Sequence, residues 1–186
     1  AFVSKWIIRR DNLAVIQGED LIQEVVTWNA TTASWNAPAK GVAMSRFCSA
    51  DLPPLSALYD DQTGLGYGGR IFLNGEEVSQ SQEGRAFGHL LDGTSYELPW
   101  MGKASWENLL AHPGTGTRTV VVGLDDSSGP VSGQVYVYVG DKTFSWSQHD
   151  VFTIPHWTWA SHTALSGDAD LFVVTDKAVF ERLDLV

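Results

Sequence analysis

Short apolar runs follow one another along the whole chain, each closed by a cluster of Gly, Asp, Asn, Ser or Pro. A chain punctuated this often has little room for long helices, and the β-branched and aromatic content of the runs suits pleated, half-buried strands. Candidate strands are 13–17, 21–28, 70–74, 96–98, 119–124, 134–140, 150–154 and 170–175. The clearest is 134–140, Gln-Val-Tyr-Val-Tyr-Val-Gly, which alternates strictly. It puts the valines on one face and Gln134 with the tyrosines on the other, so one of those faces turns inward. Residues 105–110 read as a single helical turn with Ser105 as N-cap, stopped by Pro113. Residues 30–40 and 60–69 read as loops. No clean repeat of 20 to 50 residues stands out, although the strand spacing tolerates degenerate propeller blades. The expectation is an all-β chain.

No apolar run reaches the ~18 residues that would cross a bilayer, so a soluble chain with no membrane partner is expected. The formal charge of -10 would repel a phosphate backbone, which argues against nucleic acid and suits cations. A single cysteine, Cys48, excludes an intrachain disulfide and is either buried filler or a ligand. Ala1 to Arg10 has no extended apolar stretch, so no cleavable leader is expected within it.

Four pieces carry the candidate chemistry: Arg46-Phe-Cys-Ser-Ala-Asp51, Asn74-Gly-Glu-Glu77, Ser105-Trp-Glu-Asn108 and Gly123-Leu-Asp-Asp126. Each places an anionic or thiol group at a strand end or in the next turn, where β scaffolds present binding residues. Calcium takes six to eight oxygens, whereas a thiolate prefers iron or zinc. The competing reading is plain: acidic pairs after strands are common in solvated turns, and free cysteines are common in cores.

Several stretches, among them Arg46-Phe-Cys-Ser-Ala-Asp-Leu-Pro53, Arg70-Ile-Phe-Leu-Asn-Gly-Glu-Glu77, Gly84-Arg-Ala-Phe-Gly-His89 and Gly133-Gln-Val-Tyr-Val-Tyr-Val-Gly140, resemble the PhoX-type alkaline phosphatase family over residues 1–142. That resemblance implies a β-propeller phosphomonoesterase with iron and calcium, a small phosphoester substrate and a periplasmic or secreted location. By motif it makes Cys48 an iron-facing thiolate and Glu77 or Glu76 a bridging carboxylate. It adds Glu107, Asp125 and Asp126 as further ligands, and Arg85 as a clamp on a phosphoryl oxygen. Trp106 stands where many such phosphatases have histidine. At ~40–45 residues per blade, residues 1–142 supply about three blades, too few to close a six-bladed ring.

Residues 143–186 differ in character, with His149, His156 and His162 among several tryptophans. The Asp-x-Phe-x-x-Pro order at 150–155, an aromatic-flanked turn and then His162 are similar to the C-terminal end of gentisate 1,2-dioxygenase-like cupins. This implies that His162 is one ligand of a mononuclear iron. No His-x-His or His-x-x-x-x-Glu partner is found in 1–142. The expected architecture is therefore incomplete propeller-like sheets over 1–142 joined to a cupin-like strand segment over 143–186. The leading expectation for function is a metal-dependent phosphomonoester hydrolase, as an incomplete fragment. The alternatives are a non-catalytic β interaction module, associating with itself through exposed sheet edges, and a cupin-type iron-dependent dioxygenase.

Overall fold

The computed structural model describes residues 1–79, 84–127 and 133–142 with their side chains, and the backbone of 170–174 and 180–182. The strand expected at 150–154 and the histidines His149, His156 and His162 lie outside the described residues. The strands run in chain order as β1 (Ser4–Ile8), β2 (Val15–Asp20), β3 (Glu24–Val26), β4 (Trp28–Asn29), β5 (Ser34–Trp35), β6 (Arg46–Phe47), β7 (Tyr59–Asp60) and β8 (Leu65–Gly66). They continue as β9 (Ile71–Glu77), β10 (Ala86–Leu90), β11 (Thr94–Glu97), β12 (Trp106–Ala111), β13 (Arg118–Asp125), β14 (Val135–Asp141), β15 (Asp170–Val174) and β16 (Phe180–Arg182). The helical content among the described residues is two 3-10 turns, Leu55–Ala57 and Pro99–Met101. No helix there is long and apolar enough to cross a membrane. The protein is all-β.

Two five-stranded sheets carry the architecture. The first has the order β3-β11-β10-β9-β6, antiparallel except where β3 joins β11 in parallel. The second is an antiparallel succession of neighbours, β12-β13-β14-β15-β16, so its pairing runs from residue 106 to residue 182. Three two-stranded ribbons, β1-β2, β4-β5 and β7-β8, complete the set. Among the described residues no sheet closes into a barrel, and the incomplete propeller-like sheets expected from sequence are not seen as blades.

Burial explains which strands announce themselves in sequence. In β13 buried and half-buried residues alternate, and β14 does the same. The inward face of β14 is the tyrosine face: Tyr136 and Tyr138 are buried and the valines between them are half-buried. Tyr136 meets Trp106 edge-on with ring centroids 5.7 Å apart, a contact for which valine is too short. β10, by contrast, is buried at all five positions, so its Ala-Phe-Gly-His-Leu run carries no alternation to detect.

The helical turn expected at 105–110 is instead the start of β12. Ser105 caps no helix; its hydroxyl donates to the Val78 carbonyl at 2.8 Å, tying β12 to the end of β9. The decisive residue is Trp106, only 1% exposed. Its ring and Cβ occupy the space that side chains would take at Gly75 of β9 and Gly123 of β13, since a Cβ built on either glycine would overlap Trp106. One indole thus fills the seam between the two sheets. Tertiary packing of this kind overrides a weak local helix preference.

A second buried feature is polar. His89 on β10 is fully buried, with Nδ1 2.7 Å from the Ser95 hydroxyl and Nε2 2.8 Å from the Asn74 side-chain oxygen. The rings of Phe47, Phe72 and Phe87 surround it. Burial drives its pKa down to about 4, so the imidazole is neutral at pH 7.

Two outcomes follow from this packing. Gly123→Ala should destabilise the protein by about 1–3 kcal/mol through overpacking, and Trp106→Ala by about 3–5 kcal/mol through the cavity it leaves. Both are read as shifts of the urea midpoint. His89 binds its proton less readily folded than unfolded, so its contribution is complete above the ordinary imidazole pKa and is lost as pH falls toward 4. The difference between wild type and His89→Gln should therefore change by about 3 kcal/mol between pH 7 and pH 4. A pH-independent difference would show that the imidazole does not titrate in this way.

Candidate metal centre

Three of the residues singled out in the sequence meet at the edge of the seam filled by Trp106. Glu77 is the last residue of β9, directly opposite Arg46 in the short antiparallel pairing of β6 with β9. Cys48 follows β6 at once. Glu107 comes from the other sheet. Between Trp106 and Asn108 the register of β12 against β13 jumps, because Trp106 faces Asp125 while Asn108 already faces Leu124. Glu107 is the extra residue of this bulge, a device that frees a side chain from the ladder and re-aims it. It is turned toward Cys48, whose Sγ lies 3.7 Å from Glu107 Oε1.

The Cys48 thiol and one carboxylate oxygen each from Glu77 and Glu107 lie within 4.8 Å of one another. The Ser49 hydroxyl donates to the Glu107 carbonyl and fixes that stretch of β12 against the first sheet. Glu77 Oε1 pairs with the Arg46 guanidinium, while Glu77 Oε2 is buried with no hydrogen-bond partner among the described residues. An orphaned carboxylate oxygen costs free energy that a cation at the same point would offset. A thiol with two carboxylates suits iron or zinc; three donors that include sulfur are a poor match for the oxygen-rich shell of calcium.

Cys48 is exposed, yet local desolvation, then the hydrogen bond and charge of Glu107, raise its pKa above the ordinary thiol value. The group therefore carries its proton at neutral pH, and binding a metal would expel that proton.

The remaining candidates are placed elsewhere or committed otherwise. Glu76 points away from Glu77 into a closed network. Its carboxylate accepts from Arg85 Nε and Nη2, both at 2.8 Å, from the Ser45 amide at 2.7 Å and from the Arg85 amide at 3.0 Å. Burial alone would raise its pKa, but these donors outweigh it and hold the carboxyl below its ordinary value. Arg85 is consumed by the same pair and lies over the Phe87 ring at 5.1 Å, so both residues brace the sheet. Asp125 organises the turn after β13, accepting from the amides of Ser105 and Ser127 and from the Ser127 hydroxyl. The Asp126 amide donates to the Ser105 carbonyl, and its side chain is exposed. His162 lies outside the described residues.

Sequence reasoning chose Cys48 from its motif and passed over Arg46 and Ser49 beside it. The pairing of Arg46 with Glu77 needs strand register to be seen, and the Ser49 bond needs the approach of β12.

Comparison with known proteins gives one partial likeness. No protein-family model matches the chain, and no solved structure matches it. A 5-aminosalicylate 1,2-dioxygenase from a Comamonas species is 30% identical over 79 residues, which is 42% of this chain and 19% of that enzyme. The chain thus spans about a fifth of the length of this relative. A match of 79 residues is longer than segment 143–186, so part of it falls before residue 143. The phosphatase resemblance read from residues 1–142, and the calcium it implied, find no support in these comparisons. What the chain is similar to, over less than half of its length, is a dioxygenase.

Proposed function

We propose that this chain is part of an iron-dependent, ring-cleaving dioxygenase of cupin type, acting on an aromatic carboxylate that bears hydroxyl or amino groups. The observation that carries the reading is the 30% identity to 5-aminosalicylate 1,2-dioxygenase. An all-β chain of mainly antiparallel strands is consistent with a cupin at that coarse level. In this reading His162 supplies one imidazole ligand, as the resemblance of 143–186 implies. Iron, when bound, supplies the activation of oxygen; the protein's part is to hold the ion and to orient the substrate carboxylate.

The test is oxygen uptake by the whole protein of which this chain is part, reconstituted anaerobically with Fe(II), using gentisate and 5-aminosalicylate. Uptake should be accompanied by loss of the aromatic absorbance. His162→Ala should reduce it by more than the ~10–100-fold typical of losing an outer partner of a metal ligand. Zero uptake with both substrates would refute the proposal.

A second reading is favoured by the convergence of Cys48, Glu77 and Glu107: a metal-dependent phosphomonoester hydrolase built on fragments of propeller-like sheet. Those three side chains would hold an iron or zinc ion, which would act as a Lewis acid on phosphoryl oxygens. Arg85, tied to Glu76, would contribute to the scaffold and leave the substrate to other groups. Dialysed protein should retain about one equivalent of transition metal per chain, and Cys48→Ser or Glu107→Gln should lose most of it, by elemental analysis. Retention should improve as pH rises, because the raised thiol pKa must be overcome. Turnover of p-nitrophenyl phosphate separates the two readings, and a metal-free, inactive chain would eliminate the second.

A further inference from the structure

The oxyanion clamp expected from sequence, Arg85, is committed to Glu76. Another guanidinium stands at the rim of the Cys48, Glu77 and Glu107 cluster. Arg46 lies directly opposite Glu77 in the pairing of β6 with β9, so the two side chains leave the sheet on the same face. The Arg46 side chain is 69% exposed and that of Glu77 is 11% exposed, which leaves the guanidinium open to solvent beside a nearly covered carboxylate. Its Nη2 donates to Glu77 Oε1, the only hydrogen bond of this side chain among the described residues. A guanidinium carries five N–H donors, so most of the fork is left for a group arriving from solvent.

The backbone on either side of Arg46 is pinned. The Ser45 amide donates to Glu76 Oε1 at 2.7 Å, the Phe47 ring packs against Phe87 and His89, and the Ser49 hydroxyl donates to the Glu107 carbonyl. A free side chain on a fixed backbone suits a group that binds something outside the fold. As a device for stability the pair is a poor one, since ion pairs open to solvent contribute little. Charge gives Arg46 a different task. Of the charged groups that act on the Cys48 thiol, Glu107 and Asp126 are negative and Arg46 is the positive one. A divalent ion held by two carboxylates and a thiolate still leaves the centre net negative, which repels an anionic substrate. The guanidinium cancels that excess and presents a planar fork matched to phosphate oxygens.

Resting on the metal-centre reading of this cluster, we infer that Arg46 is its substrate-binding residue, taking the non-bridging oxygens of a phosphate monoester with the part of its fork that Glu77 does not use. Glu77 couples the two tasks, because one of its oxygens braces Arg46 and the other is buried without a donor among the described residues.

The test is phosphate binding by the whole protein of which this chain is part, loaded with Co(II). Inorganic phosphate is titrated while the thiolate-to-Co(II) absorption that Cys48→Ser abolishes is followed. Arg46→Gln should keep that absorption and the urea midpoint of wild type, yet bind phosphate at least ~10-fold more weakly. Arg46→Lys should recover part of the loss, because it restores the charge without the fork. A loaded Arg46→Gln that binds phosphate as wild type does would overturn the inference and leave the metal centre standing. So would a wild-type centre that prefers benzoate to phosphate. A wild-type protein with no such absorption in Co(II) removes the metal centre and the role of Arg46 together.

Discussion

The indole of Trp106 is the contact on which the arrangement of the two sheets depends. It lies against β9 at Gly75 and against β13 at Gly123, and at both places hydrogen is the largest substituent that fits. A buried tryptophan contributes several kcal/mol of apolar burial. That gain is available only if two strands from different sheets each present a bare backbone. The pattern is legible as three separate residues in the sequence, but nothing there says that they meet.

The candidate centre inherits its geometry from this seam. Cys48 and Glu77 belong to the first sheet and Glu107 to the second, so the three donors share a locus only while the sheets are locked together. Trp106 and Glu107 are neighbours in sequence, and the bulge between Trp106 and Asn108 divides their tasks. One enters the core and the other is delivered to the rim. The resemblance noted that a tryptophan stands where phosphatases have histidine; in the structure this residue is a packing element, and the chemistry passes to its neighbour.

Much of the β content was readable because β13 and β14 have one face inward and one outward, and such strands print their burial as alternation. The strands that were missed fail this condition for stated reasons. β10 is buried on both faces, and β1 is exposed on both, so neither has the contrast that a period of two requires. The segment entering β12, Ser-Trp-Glu-Asn, is a capping-like sequence, and it becomes a strand from Trp106 because that residue has a seat between glycines. Composition likewise identified the acidic residues without sorting them. Glu76 and Glu77 are adjacent in the chain and opposite in role, because successive residues of a strand point to opposite faces.

That division between two adjacent glutamates explains why one anionic group is closed and the other open. Glu76 is buried among a guanidinium and two amide donors, which satisfy its oxygens and keep it ionised inside the sheet. Glu77 has one oxygen on exposed Arg46 and one buried oxygen without a donor among the described residues. A fold selecting only for stability has little reason to bury an unpaired carboxylate oxygen beside a thiol and a second carboxylate, since each added negative charge raises the cost of the others. The arrangement becomes favourable once a cation lies at their common focus. The donor chemistry of Cys48, together with the orphaned oxygen of Glu77, is therefore a stronger indication of a metal centre than the acidic character of the chain as a whole.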